Sequence, residues 1–325
     1  MQKIKWGIIG CGDVTEKKSG PAFNKVPNSE LIAVMRRDAA KAADYARRHD
    51  VPKWYSNVDD LISDPEINAV YIATPPLQHE DYAMRAMAAG KPVYVEKPIS
   101  LNAASAKRML AAAEKYQQKV SVAHYRRQQP VFLKVKELLD NKAIGDVRFV
   151  DLQMLQPHKS NLIAASEENW RVDPAVSGGG LFHDLAPHQL DLMVYFFGAV
   201  KTASGFGLNQ GGFYPADDLV TGNILFENNV VFNGMWCFTV PENEQKDMCT
   251  IIGSEGKISF PIFGMEITIT KNGQEEKLNF EPLQHVQQPL ITQVVRYFLG
   301  ERENPCSVQD AICSMEIMDA FTKSA

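Results

Sequence analysis

The chain has no excess of positive charge. Its 34 lysines and arginines are outnumbered by 39 aspartates and glutamates, a formal charge of −5 over 325 residues. Nucleic-acid binders neutralise phosphates with clustered cations, and the one dense basic pair here, Arg126-Arg127, is too short for that. No nucleic-acid partner is therefore expected. Long apolar runs are also missing, so nothing in the sequence is suited to span a bilayer. After Met1-Gln2-Lys3-Ile4-Lys5 there is neither the apolar stretch nor the small-residue cleavage site of a signal peptide. Cysteine is scarce: five residues, Cys11, Cys237, Cys249, Cys306 and Cys313, form no CxxC pair and no zinc spacing. An odd, dispersed set reads as reduced thiols rather than a disulfide framework. A soluble cytoplasmic protein without membrane contact is the expectation. Internal repeats, low-complexity tracts and linker-like segments are absent too.

What is present is ordinary globular composition, 45% apolar and 22% charged, in a chain whose length suits two domains. Up to residue 123 short apolar runs alternate with helical patterns. Strands are expected at Ile4–Ile9, Glu30–Met35, Ala69–Ala73, Pro92–Val95 and Val120–Ala123. Helical stretches follow the first strand to about Val26 and recur at Ala39–His49, Gln78–Ala89 and Asn102–Gln117. Such alternation specifies a parallel sheet covered by helices. From residue 124 the rhythm changes. Helices at Val131–Asn141 and Phe182–Phe197 flank an alternating strand, Val147–Leu155. Two hairpins follow, Leu219–Phe226 with Val230–Phe238 and Met265–Lys271 with Glu276–Phe280, the second turning at Asn272-Gly273, a type I′ signal. Helices at Gln287–Leu299 and from Val308 close the chain, the latter with Ser307 and Asp310 placed for a capping box. The fold class is α/β: a dinucleotide-binding domain over 1–123 and a mainly antiparallel α/β domain over 124–325.

Three constellations carry chemistry. Gly10-Cys11-Gly12-Asp13-Val14-Thr15 lies between the first strand and the first helix. There Gly10 makes the tight turn, and Gly12 lets the backbone and the helix N-terminus approach a pyrophosphate. Thr15 stands where a third glycine would serve close helix–strand packing. The second strand ends in Arg36-Arg37 rather than the acidic residue that binds an NAD ribose. Two guanidiniums suit the 2′-phosphate of NADP, with NAD as the other option. Glu96-Lys97-Pro98 follows the Pro92–Val95 strand, where a doubly wound sheet places ligands, and Pro98 restricts Lys97 to extended backbone. A lysine there polarises or protonates a carbonyl oxygen. Finally, Gly178-Gly179-Gly180 precedes Asp184, His188 and Asp191, which at i, i+4 and i+7 share a helix face. Asp184 can orient His188 as a proton shuttle. A metal held by His183, Asp184 and His188 is the competing arrangement, disfavoured because His183 and Asp184 point about 100° apart on a helix.

These motifs, with Ala73-Thr74-Pro75-Pro76…His79 and Tyr125-Arg126-Arg127, occur in an order and spacing that resembles the Gfo/Idh/MocA oxidoreductases. The resemblance implies a Rossmann domain followed by an α/β domain with a large, mostly antiparallel open sheet used for dimer or tetramer contacts. It implies hydride transfer between NAD(P) and a sugar or polyol, with Lys97, Asp184 and His188 as the catalytic set. Gly10, Gly12, Asp13 and Val14 would hold the pyrophosphate. Thr74, Pro75, His79, Glu96, Lys97 and Arg171 would border the rest of the cofactor. Tyr125, Arg126, His158, Asn161 and Trp170 are candidate substrate contacts, and no metal is expected. Pro187 would have to lie in the first turn of its helix. Some relatives are silent NAD(P)-binding regulators and others NAD-dependent glycoside hydrolases. A methyltransferase using the glycine turn for S-adenosylmethionine is disfavoured by the EKP turn and the paired arginines.

Overall fold

The computed structural model describes residues 2–160, 162 and 169–322. The chain divides into two compact units, Met1–Tyr125 with Leu283–Ile312 and Arg126–Pro282 with Cys313–Ala325.

In the first unit, β1 (Ile4–Ile9), β2 (Ser29–Met35), β3 (Lys53–Tyr55), β4 (Ala69–Ile72), β5 (Val93–Val95) and β6 (Val120–Val122) form one parallel sheet in the order β3-β2-β1-β4-β5-β6. All but the edge strand β3 are buried on both faces, which is why they read as continuous apolar runs. Helices α1 (Asp13–Lys17), α2 (Gly20–Phe23), α3 (Ala39–Arg48), α4 (Val58–Ser63), α5 (His79–Ala88) and α6 (Ala103–Tyr116) supply the crossovers. Asp38 caps α3 by accepting the Lys41 N–H, and Asn102 caps α6 through Ser105 N–H. Strand order reverses between β1 and β4, so their carboxyl ends border the ligand crevice of such a sheet.

The stretch after the glycine turn is not one helix. Thr15 is fully buried; its hydroxyl donates to Gly12 O (2.7 Å) and its carbonyl accepts the Tyr45 hydroxyl (2.8 Å). A Cβ on Gly20 would lie 2.2 Å from the Tyr45 oxygen and 2.3 Å from Thr15 O. The close-approach glycine has thus moved to position 20, and the helix breaks ahead of it.

The second unit opens with α7 (Pro130–Asp140), followed by β7 (Val147–Leu155), α8 (Pro174–Ser177) and α9 (Gly180–Phe197). Then come β8 (Val200–Leu208), β9 (Leu219–Phe226), β10 (Val231–Cys237), β11 (Lys246–Gly253), β12 (Gly256–Phe260), β13 (Glu266–Lys271) and β14 (Gln274–Asn279). The eight strands run in the order β14-β13-β12-β11-β7-β10-β9-β8, antiparallel except for the β7–β10 pair. The β13–β14 turn has Asn272 and Gly273 at φ 53° and 75°, as a type I′ turn requires. One face is covered by side chains of α7 and α9: Phe132 meets Phe260 edge-on at 6.0 Å, and Phe182 meets Trp236 at 5.1 Å. The other face leaves Phe149, Phe206, Leu208 and Val231 exposed.

The last helices, α10 (Gln288–Leu299) and α11 (Val308–Thr322), change the domain division. Residues 283–312 belong with the first unit rather than the second. The reason is the apolar stripe Leu290, Ile291, Val294, Val295 and Phe298 on α10, which is buried in the core around Trp6 (Phe298 to Trp6, 5.6 Å between centroids). The Ser307–Asp310 capping box forms as the spacing predicts, Asp310 N–H to Ser307 Oγ at 3.1 Å and Ser307 N–H to Asp310 Oδ2 at 2.9 Å.

Candidate active site

In the first unit the glycine turn is built tightly. Gly10 has φ +94°, its N–H reaches Met35 O at 2.9 Å, and a Cβ on it would lie 2.8 Å from Thr74 N. No other residue fits there. Gly12 is different: a Cβ would meet nothing within 4 Å, so its own chain does not demand glycine. The space beside it, at the head of α1, is what a side chain would take from a pyrophosphate. Thr74 Oγ1, beside Gly10, is buried with no hydrogen-bond partner among the described residues. Asp13 is exposed and Val14 and Pro75 half-buried at this edge. These residues fit a dinucleotide.

At the end of β2, Arg36 is half-buried with Nη1 3.4 Å from Cys11 O, and Arg37 is exposed in a groove of about 260 Å³ shared with Ser56, Asn57 and Tyr82. Of the nearby carboxylates, Asp38 is engaged in capping α3, and Asp59, which lines the same groove, pairs with Arg85.

Lys97 is half-buried on the turn after β5, and the Lys97–Pro98 bond is cis, which the Lys-Pro spacing did not indicate. Two residues expected at the cofactor, Glu96 and His79, are buried around this turn. Glu96 is 5% exposed; its Oε1 accepts Tyr71 O–H (2.5 Å) and Gln287 N–H (2.6 Å), and its Oε2 accepts Lys97 N–H (3.2 Å). His79 is fully buried, with Nδ1 2.9 Å from Pro98 O and Nε2 2.7 Å from Thr74 O. Burial, aided by the Lys97 ammonium, lowers its pKa to about 4, against the pull of the two carbonyls. The neutral ring has one N–H, so at neutral pH one of these two contacts is a hydrogen bond and the other is not.

In the second unit the three glycines set the head of α9. Gly178 (φ 95°) ends α8, and Gly180 (φ 76°) turns beside Ala216, where a Cβ would lie 2.3 Å from the alanine methyl. Gly180 N–H is capped by Ser177 Oγ at 2.9 Å. The helix then runs unbroken through Pro187, which is well inside it rather than in its first turn. The proline removes an N–H that would otherwise reach back to His183 O. Because the helix begins early, Asp184 and His188 do stand one turn apart on one face.

Both carboxylates on that face meet arginines. Asp184 pairs with Arg171 (3.2 Å), whose guanidinium lies over Trp170 at 4.5 Å. Asp191 forms a buried bidentate pair with Arg127, both bonds 2.8 Å, and Arg127 also lies over Tyr195. His188 is 5% exposed, and its ring meets Phe263 edge-on at 5.7 Å. His183 packs on Gly179, and burial lowers its pKa to about 4.

Two of the expected substrate contacts, Tyr125 and Arg126, are buried. Tyr125 is buried in the cluster around Trp6. Arg126 is buried, donating to Ile262 O (2.5 Å) and stacking over Phe263 at 4.3 Å, which makes it a strut for the Phe263 loop. His158 is exposed and stacks on Phe213 at 4.4 Å and 12°. Asn161 lies outside the described residues. Sequence reasoning passed over Phe263, Arg127, Tyr71 and Gln287; only Arg127, inside the Tyr125-Arg126-Arg127 run, had a local signal. Among the described residues no helix is long and apolar enough to cross a membrane, and no cluster of three or more His, Cys, Asp or Glu is placed to hold a metal.

A parallel sheet with a glycine turn at its reversal point, joined to a large antiparallel sheet behind a Gly-Gly-Gly…Asp…His helix, defines a class of two-domain dehydrogenases. Residues 4–124 match the model described as an oxidoreductase family with an NAD-binding Rossmann fold, and residues 132–259 match the GFO/IDH/MocA C-terminal domain. The chain is 50% identical over 319 residues to Oxidoreductase P35 of Formosa agariphila, covering 98% of each. It is 28% identical over 293 residues to trans-1,2-dihydrobenzene-1,2-diol dehydrogenase of Xenopus laevis, covering 88% of this chain and 83% of that one. Its fold resembles the aldose-aldose oxidoreductase of Caulobacter crescentus solved with glycerol, TM-score 0.86 at 22% identity over 98% and 96% of the two chains. The protein belongs to the Gfo/Idh/MocA oxidoreductase family and is an NAD(P)-binding oxidoreductase.

Proposed function

We propose that the protein catalyses reversible hydride transfer between NADP and a ring-shaped sugar, a polyol or a related hydroxy compound, with Lys97, Asp184 and His188 as the catalytic set. The observation that carries this reading is the intact α9 helix. It presents Asp184 and His188 on one face although Pro187 lies between them, and that pairing suits proton transfer. A silent regulator has no need of it. The bound nicotinamide supplies the hydride donor or acceptor. His188 takes or returns the hydroxyl proton, Lys97 places positive charge at the carbonyl oxygen, and Asp184, held by Arg171, orients His188 or a substrate hydroxyl. Phe213, 60% exposed and stacked on His158, offers an apolar face of the kind that sugar rings pack on. The relatives whose names specify sugars and diols support that substrate class.

NADP is favoured over NAD by Arg36 and Arg37, together with the diversion of Asp38 to capping. A fluorescence titration is expected to show tighter binding of NADPH than NADH. Arg36→Ala is expected to weaken NADPH by about 10- to 100-fold, one charge-assisted contact to phosphate, with NADH changed less than about twofold. Equal weakening of both dinucleotides, or tighter NADH, contradicts the preference.

The protein acts in the cytoplasm as a dimer or tetramer through its open sheet. Leu225, Val231, Phe149 and Ile252 stand side by side on neighbouring strands of that sheet, an apolar row on the face without helices. Light scattering is expected to report an oligomer for the native chain and a monomer for Phe149→Asp. A native monomer, or an oligomer unmoved by the aspartate, rules this surface out.

A further inference from the structure

Gln287 is fully buried at the head of α10, in the segment that returns to the first unit far along the chain. Its side chain is committed on both ends. Nε2 donates to Glu96 Oε1 (2.6 Å), and Oε1 accepts Tyr94 O–H (3.3 Å). The two partners fix the amide orientation, because a carboxylate oxygen takes only a donor. The neighbouring backbone is tied to the end of the first helix, Gln287 N–H to Lys18 O at 3.3 Å and His285 Nδ1 to Lys17 O at 2.7 Å. Glu96 in turn collects Tyr71 O–H on the same oxygen and the Lys97 N–H on the other. The Tyr71 phenol has one proton, and the carboxylate takes it, so the Ser19 hydroxyl at 3.1 Å serves as donor or stays with Val14 O. Burial and the Glu96 charge push the Tyr71 pKa well above its ordinary value, so the phenol stays a donor throughout the working range. On the far side, His79 Nδ1 lies 2.9 Å from Pro98 O.

We infer that Gln287 is a positioning residue for Lys97: through Glu96 it fixes the turn on which the proposed catalytic lysine stands. This rests on the reading of Lys97 given above. Gln287 is fully buried, and its amide meets the lysine turn through Glu96, whose second oxygen accepts the Lys97 N–H. Gln287 is also a device for joining sequence-distant parts. β4, the turn after β5 and α10 meet at one carboxylate, through Tyr71, the Lys97 N–H and Gln287. Replacing the amide by an apolar side chain leaves Tyr94 without its acceptor and Glu96 with one donor fewer, and the turn loosens without loss of the sheet beneath it.

Two variants of the full-length protein test this. In Gln287→Leu, hydrogen exchange at the Lys97 amide, read without cofactor or substrate, is expected to accelerate at least about tenfold. In turnover, kcat is expected to fall about 10- to 100-fold, with the NADPH Kd within about threefold. In Gln287→Glu, a carboxylic acid can donate to Glu96 as the amide does, but a second carboxylate cannot. The acid–carboxylate pair shares a proton below its raised pKa and repels above it. Tyr71, Tyr94 and Lys97 face this pair, with Tyr125 and Cys306 beside Tyr94. Activity of this variant, taken relative to the native protein at each pH, is expected to be highest at low pH and to drop as pH rises. Unchanged Lys97 exchange in Gln287→Leu, or a Gln287→Glu profile that follows the native one, overturns the inference. Accelerated exchange in a protein whose native form turns over no substrate overturns instead the catalytic reading on which it rests.

Discussion

Lys97→Ala is expected to lower turnover by about 10²- to 10⁴-fold, the range of a lost acid–base or polarising group, or about 3–5 kcal/mol of barrier. NADPH affinity is expected to stay within about threefold. The separation of the two effects follows from the structure. Gly10 is held by its N–H bond to Met35 O, and the Lys97 N–H by Glu96, itself bonded to Tyr71, so the ammonium can be removed without disturbing either backbone. Lys97→Arg refines the result. Arginine keeps the charge but cannot release a proton in a protein. Partial activity in Lys97→Arg assigns the lysine to polarisation and leaves the proton to His188; loss equal to that of alanine assigns the proton to Lys97. Turnover within about threefold of native in Lys97→Ala contradicts the assignment altogether.

The largest stability effect is expected at Asp191. Its carboxylate is 1% exposed and doubly bonded to Arg127, itself 6% exposed, so Asp191→Ala takes a bidentate carboxylate from a buried guanidinium. Breaking a buried pair from one side costs about 3–5 kcal/mol. Removing both charges is far cheaper, so Arg127→Met with Asp191→Leu is expected to recover most of the loss. Denaturant unfolding of the three variants checks the pattern. A loss below about 1 kcal/mol in Asp191→Ala, or a double variant no better than the single, contradicts it. Because Asp191 shares α9 with Asp184 and His188, residual folded Asp191→Ala protein is also expected to turn over more slowly.

The fold was legible where one physical signal dominates. Ile4–Ile9, Val147–Leu155 and Asn272-Gly273 are cases: a doubly buried strand, an alternating half-buried one and a two-residue turn with both φ positive. It was illegible where signals are short or two-sided. Lys53–Tyr55 is a three-residue edge strand, and Val200–Leu208, with its glycines and serine, has no apolar run to mark it. The return of 283–312 to the first unit was hidden for another reason. The apolar stripe of α10 shows that it packs, but not on what.

The site followed the same division. Residue types and chain order pointed to Gly10, Lys97, Asp184 and His188, because each needs a particular backbone setting that neighbouring residues announce. The arginine partners did not follow from spacing. Asp184 and Asp191, placed on the His188 face of α9, also meet Arg171 and Arg127 from two distant segments. Glu96 and His79, expected at the cofactor from their motifs, are buried around the Lys97 turn, a setting the motifs themselves do not announce.

The central claim is hydride exchange with a sugar-type alcohol, and one measurement tests it most directly. The native protein, saturated with NADP, is offered a panel of pyranoses, polyols and cyclic diols while reduced nicotinamide is followed, and the reverse reaction is run with NADPH and the corresponding carbonyl compounds. The account predicts stoichiometric NADPH formation with at least one cyclic sugar or diol, abolished by Lys97→Ala and by His188→Ala. Tight dinucleotide binding without reduction in either direction contradicts it in favour of a silent binder. Release of sugar from a glycoside with no net change in NADPH contradicts it in favour of a hydrolase.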